Sequence, residues 1–161
     1  MEKKKILFVC LGNICRSPSA EAVFKGLIER EGLQEQFFID SAGITDYHAG
    51  APADARMQRH AIKRGYNLTS ISRPLEPATD FSEFDMIVGM DNQNMRDLEQ
   101  LAAGSGAVNK IFKMTDFCSN CPHDEVPDPY YGGDQGFELV LDLLKSACEG
   151  LLNFLRNNEL H

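Results

Sequence analysis

The 161-residue chain contains no apolar run approaching the roughly 20 residues that a membrane-spanning helix needs, so it is not expected to contain such a helix. Positive charge is also scarce, with 16 Lys and Arg against 24 Asp and Glu and a formal net charge of −8. Polynucleotides are held by a surplus of Lys and Arg, so no nucleic-acid partner is expected, and any anion must be bound locally. Between Thr115 and Asp142 there is no Lys or Arg at all, while Asp116, Asp124, Glu125, Asp128, Asp134, Glu138 and Asp142 all fall there. Most of such a run is a solvated acidic face. Low-complexity tracts, internal repeats and linkers are absent as well. Five cysteines are an odd number for a disulfide framework, and a chain with 43% apolar residues has core enough without staples, so reduced thiols in a cytoplasm are expected. Lys3, Lys4 and Lys5 precede an apolar run, Ile6 to Leu11, that is short for a signal peptide and lacks a small-x-small cleavage site. It reads as a buried strand, the first element of a single domain spanning residues 1–161.

What is present is an alternation of strand-length apolar runs with amphipathic segments, the pattern of βαβ units around a parallel sheet. Ile6 to Val9 is a first strand ending near Cys10. Ser17-Pro18 supplies an N-cap hydroxyl and a proline at the first helical position, and Ala20, Val23, Phe24, Leu27 and Ile28 carry that helix to about Arg30, stopped by Gly32. Phe37 to Ile39 is a second strand ending at Asp40 to Gly43, followed by a helix from about Pro52 to Arg64 closed by Gly65. Residues 67–82 read as loop with one turn. Asp85 to Met90 is the third strand, Asn92 to Ala102 a helix, and Lys110 to Met114 the fourth strand. A long connection, Thr115 to Gly136, shows no apolar periodicity, and loops of that length in a compact domain are often functional. A final helix presents Phe137, Val140, Leu144, Cys148, Leu151, Leu152 and Leu155 as one stripe. The expected class is α/β, a three-layer sandwich around a four-stranded parallel sheet.

Ligands of open parallel sheets bind at the carboxyl ends of strands. The first strand delivers Cys10-Leu11-Gly12-Asn13-Ile14-Cys15-Arg16-Ser17 directly into a helix N-terminus. Successive N–H groups in a tight loop form an anion nest, the helix end adds partial positive charge, and Arg16 can fork onto two phosphate oxygens. Gly12 suits a backbone turn with positive φ. A field that stabilises phosphate also stabilises thiolate, which makes Cys10 a candidate nucleophile.

The segment Val9 to Pro18, continued by Ala20-Glu21-Ala22-Val23-Phe24, resembles the phosphate-binding signature of the low-molecular-weight protein tyrosine phosphatases. Asp128-Pro129-Tyr130-Tyr131-Gly132 resembles that family's general-acid loop, and Ile39 to Gly43 and Met90-Asp91-Asn92 also match in type and order. The resemblance implies the flavodoxin-like, phosphotyrosine protein phosphatase I-like strand order 2-1-3-4. It implies hydrolysis of phosphotyrosine and aryl phosphate monoesters through a phosphocysteine on Cys10, with Arg16 binding the phosphate and Asp128 as general acid and base. It also implies loop support by Leu11, Gly12, Asn13, Ile14, Cys15, Ser17 and Ser41, and a cleft walled by Tyr47, Tyr130 and Tyr131. The acidic, lysine-free loop is expected to disfavour ionisation of Asp128 and so aid proton donation. Cys15 resembles a redox partner able to form a reversible disulfide with Cys10. Where several family members place a histidine that buttresses the loop serine, this chain has Ser70, so the supporting network is expected to be rewired. No cofactor or metal is expected: Cys118-x-x-Cys121 lacks a second pair. The partners implied are phosphotyrosine-containing proteins, met by a cytoplasmic monomer without membrane association.

Two other enzyme readings use the same scaffold. Arsenate reductases need relay cysteines, and none lies between Thr69 and Asp91. Protein-arginine phosphatases resemble this chain but carry threonine where Ile14 stands. A non-catalytic phosphotyrosine-binding module is disfavoured by retention of both Cys10 and Asp128.

Overall fold

The computed structural model describes residues 2–130 and 132–158. Strand β1 (Lys4–Cys10) pairs in parallel with β2 (Phe37–Gly43) and with β3 (Met86–Gly89), and β3 pairs with β4 (Ile111–Lys113). The sheet order is therefore β2-β1-β3-β4, as the resemblance implied. Strand geometry sends alternate side chains to opposite faces. Along β1, Ile6, Phe8 and Cys10 join one buried cluster while Leu7 and Val9 join the other. The first cluster is closed by helices α1 (Arg16–Arg30), α2 (Ala55–Lys63) and α5 (Asp134–Asn158). The second is closed by α3 (Pro77–Glu83) and α4 (Asn92–Leu101). This is why β1 reads as a continuous apolar run: both of its faces are covered.

Three local expectations are corrected. Helix α1 begins at Arg16 with Cys15 at its N-cap, so Ser17 lies inside the first turn and its hydroxyl is free for another use. The stretch expected to be loop contains α3, a seven-residue helix opened by Pro77; only Phe81 among its apolar side chains is buried, which leaves no periodicity to read. Cys118 and Cys121 are joined in a disulfide rather than reduced, their three-residue separation placing the Cα atoms 5.5 Å apart, within bonding range. Cys10, Cys15 and Cys148 are free.

The long connection is less irregular than its sequence suggests. It opens with a 3-10 turn over Met114–Phe117, and α5 starts at Asp134, one turn before its apolar stripe. Val126 is buried and its N–H bonds the carbonyl of Met90 just after β3.

Asp54 caps α2, its carboxylate accepting the N–H groups of Arg56 and Met57 and the Arg56 guanidinium. Burial pushes this carboxyl up, but the Arg56 side chain and the two N–H bonds outweigh it and hold it below the usual range. Asp54→Ala is expected to cost about 1 kcal/mol at neutral pH. A carboxyl depressed on folding stabilises above its unfolded value, about pH 4, and loses that contribution as pH falls through the lower folded value. Thermal unfolding of both proteins should therefore show a gap near neutral pH that closes in acid.

Candidate active site

The register that sets Cys10 opposite Gly43 brings the carboxyl ends of β1 and β2 together. The loop from Cys10 to Ser17 lies against the residues that follow β2. Gly43 is required by this approach, because a Cβ there would sit 2.9 Å from the Thr45 carbonyl oxygen and 3.1 Å from that of Leu11.

The loop's carbonyls are tied outward. Leu11 O accepts from Thr45 N and Oγ1, Gly12 O from Ser72 Oγ, Ile14 O from Asp54 N, and Cys15 O from Ser19. In a trans peptide the following N–H points opposite to the carbonyl, so the N–H groups of Gly12, Asn13, Cys15 and Arg16 turn inward. The Asn13 N–H does so visibly, donating to Cys10 Sγ at 3.3 Å. The left-handed residue is Asn13, with φ 58°, and not Gly12 as expected. Asparagine tolerates that conformation because its side chain bonds locally. At Gly12 a Cβ would lie 2.9 Å from His48 Cδ2, so a side chain there would displace the His48 ring.

Ser17, released from capping, places Oγ 3.1 Å from Cys10 Sγ. Asn13 Nδ2 donates to Ser17 Oγ at 2.8 Å and to Ser41 Oγ at 3.0 Å, while Arg73 N–H donates to Asn13 Oδ1. Ser41 in turn donates to Glu21 Oε1 at 2.7 Å, so the partner of this serine is a carboxylate on α1.

Arg16 is only 2% exposed, yet its guanidinium reaches the cavity above Cys10. Nη1 donates to Asp91 Oδ2 at 2.6 Å and to the Val126 carbonyl at 3.1 Å, and Nη2 lies 3.6 Å from Asp128 Oδ2. Burial alone would push this guanidinium down, but Cys10, Asp91 and Asp128 together raise it above its ordinary value. Asp128 is 43% exposed at its side chain and accepts the Tyr130 N–H. Of the loop's other acids, Asp124 is paired with Lys113 and Asn92, and Glu125 accepts the Asn92 N–H. Beside Asp128 stands the cationic Arg16. Burial pushes the Cys15 thiol up, and Asp54, Cys10 and Asp128 add to the effect against Arg56, so this second loop sulfur stays protonated.

Cys10, Arg16 and Asp128 share one cavity of about 350 Å³. Leu11, Gly12, Ile14 and Cys15 of the same loop line it with the nucleophile candidate, as do Tyr47, His48 and Tyr130. Tyr47 is 79% exposed. Arg56 steadies Tyr130 by donating to its carbonyl and lying over its ring at 5.4 Å. Tyr131 lies outside the described residues. His48 and Asp91 are site residues that sequence reasoning did not assign; the Met90-Asp91-Asn92 match pointed to the second without a role. Among the described residues no group of three or more His, Cys, Asp or Glu is arranged to hold a metal ion, and no helix is long and apolar enough to cross a membrane.

The description "Low molecular weight phosphotyrosine protein phosphatase" belongs to a family model that matches residues 5–160. The chain belongs to the low molecular weight phosphotyrosine protein phosphatase family. It is 40% identical over 151 residues to the low molecular weight phosphotyrosine protein phosphatase of Rattus norvegicus, covering 92% of this chain and 94% of the relative. It is 39% identical to the low molecular weight protein-tyrosine-phosphatase YfkJ of Bacillus subtilis, over 91% and 92% of the two chains. The crystal structure of a protein tyrosine phosphatase from Entamoeba histolytica with Hepes in the active site is similar with a TM-score of 0.94 at 49% identity, over 98% of this chain and 100% of that one. In this phosphatase family member the loop after β1, the resemblance's signature segment, thus lines the cavity described above.

Proposed function

We propose that the protein hydrolyses phosphotyrosine in proteins, with Cys10 as nucleophile, Arg16 and the inward N–H groups as phosphate cradle, and Asp128 as general acid and then base. The observation that carries this reading is the convergence of those three side chains on one cavity at the end of β1. The Cys10 thiolate attacks phosphorus in line, forming an S–P bond as the P–O bond to the phenol breaks. Charge on the three equatorial oxygens is met by Arg16 and the loop amides. An arriving phosphate dianion competes with Asp128 for Arg16 Nη2 and disfavours the ionised carboxylate, which takes up a proton from solvent and hands it to the leaving phenol oxygen. The same carboxylate then takes a proton from the water that cleaves the S–P bond. Leu11, Asn13, Cys15, Ser17 and Ser41 hold the loop, and Tyr47 and Tyr130 flank the aryl ring. The enzyme acts as a cytoplasmic monomer on phosphotyrosine-containing proteins.

Phosphotyrosine is favoured over phosphoarginine by Ile14, an apolar wall of the cavity where the arginine-directed branch carries threonine. Phosphate release from phosphotyrosine and phosphoarginine peptides, and reduction of arsenate with added thiol, should separate the readings. Release from phosphotyrosine is expected to be faster by at least about tenfold, the discrimination that one or two apolar contacts give. Equal or faster release from phosphoarginine would overturn the assignment.

A further inference from the structure

A buried carboxylate with no part in the chemistry stands at the far end of the hydrogen bonds that reach Cys10. Glu21, on α1, is 6% exposed. Its Oε2 is paired with Lys25 Nζ at 2.6 Å, one helical turn away, and its Oε1 accepts from Ser41 Oγ at 2.7 Å. A carboxylate in that ion pair has no proton to donate, so the order of protons along the rest of the chain follows. Ser41 has one hydroxyl proton and gives it to Glu21, which leaves Ser41 Oγ an acceptor for Asn13 Nδ2 at 3.0 Å. The second amide proton of Asn13 goes to Ser17 Oγ at 2.8 Å. Arg73 N–H, bonded to Asn13 Oδ1, holds the amide in the same sense from its other end. Ser17, already accepting from Asn13, keeps its own proton for Cys10 Sγ at 3.1 Å, with the Ala42 carbonyl at 3.4 Å as the longer alternative.

We propose that Glu21, held by Lys25, is a positioning residue that fixes the direction of the relay Glu21–Ser41–Asn13–Ser17, so that the Ser17 hydroxyl donates to Cys10. The proposal rests on Cys10 being the attacking thiolate. A carboxylate accepts only, whereas an amide in its place has both a donor and an acceptor end. In Glu21→Gln the Lys25 ammonium claims the amide oxygen, which turns the NH2 group toward Ser41. Ser41 Oγ then faces two donors, and its own proton must find another acceptor, with Ser17 and the loop adjusting around it. The other charged or titratable groups lining the cavity with Cys10 are Arg16 and Cys15 on its own loop, Tyr47, His48, Asp128 and Tyr130, with Asp91 bonded to Arg16. The hydrogen bonds of Arg16, Asp91 and Asp128 go to groups other than Ser41 and Glu21.

The test is alkylation of Cys10 by iodoacetamide across the acid and neutral range, alongside steady-state hydrolysis of an aryl phosphate and thermal unfolding. Glu21→Gln is expected to slow alkylation and kcat by roughly tenfold, the weight of one hydrogen bond to a charged group, with KM within about twofold and the pH profile of alkylation moved toward alkaline pH. Adding Lys25→Met to Glu21→Gln frees the amide to present its oxygen to Ser41 and is expected to restore most of the lost rate. Alkylation by folded Glu21→Gln at the wild-type rate and pH dependence overturns the proposal. So does a loss that tracks only the unfolded fraction and that Lys25→Met fails to restore. If Glu21→Gln does not fold, Ser41→Ala cuts the same relay, and wild-type alkylation in that variant overturns it equally. Alkylation does not depend on turnover, so absence of aryl phosphate hydrolysis in the wild type would count against the phosphatase reading alone.

Discussion

Cys10→Ser is expected to abolish hydrolysis of aryl phosphates, lowering kcat by on the order of 10⁴-fold or more, about 5.5 kcal/mol on the barrier, while the protein stays folded and still binds inorganic phosphate. The substitution exchanges sulfur for oxygen in a buried position that already accepts from the Asn13 N–H and faces Ser17 Oγ, so the loop loses no donor. What it loses is the sulfur nucleophile, because a serine alcohol attacks phosphorus far less readily than a cysteine thiolate. The cradle is made of other groups: Arg16, anchored by Asp91 and the Val126 carbonyl, and N–H groups whose orientation is set by outward-tied carbonyls. Phosphate release measured with protection against thermal unfolding by inorganic phosphate separates the two. Residual turnover within tenfold of wild type would mean that another group attacks phosphorus, and loss of phosphate protection would mean that the loop depends on the sulfur for its shape.

What the sequence made legible, and what it hid, divides by distance along the chain. The strand into Cys10, the anion-binding loop and the helix after it are contiguous, so their chemistry could be read from one octet. The partners that aim that octet could not. Arg16 is held by Asp91, 75 residues away, and by Val126, 110 residues away. The serine that supports the loop hands its proton to Glu21, which in sequence is one more acidic residue on an amphipathic helix. His48 limits the space at Gly12 through a contact between two loops. Local rules also competed: Ser17 before Pro18 satisfies the capping preference, yet the helix starts earlier and the hydroxyl serves Cys10. Within the acidic stretch, Asp124 pairs with Lys113 from β4, and Asp124 and Glu125 accept from the Asn92 amides at the start of α4, groups that strand pairing brings in from elsewhere.

Asp128→Ala is the complementary experiment, and its outcome depends on the leaving group. Asp128 is exposed enough that its removal costs little stability, and its loop is held independently by Val126, whose N–H bonds Met90 O and whose carbonyl accepts Arg16. With esters of weakly acidic phenols, where the departing oxygen needs a proton, kcat is expected to fall by about 10²–10⁴-fold, the range for a positioned general acid. With esters of strongly acidic phenols, which leave as anions, the first step is expected to lose less than about tenfold. The second step then decides. Without a carboxylate to take the proton of the attacking water, hydrolysis of the S–P bond slows, and phosphocysteine accumulates behind an initial burst of phenol. Steady-state rates across a series of phenols with rising pKa, with rapid-quench detection of the burst, read both roles. A steeper dependence on phenol acidity in the variant assigns the acid role, and the burst assigns the base role. A uniform loss across the series, without a burst, would reduce Asp128 to a counter-ion that merely positions Arg16.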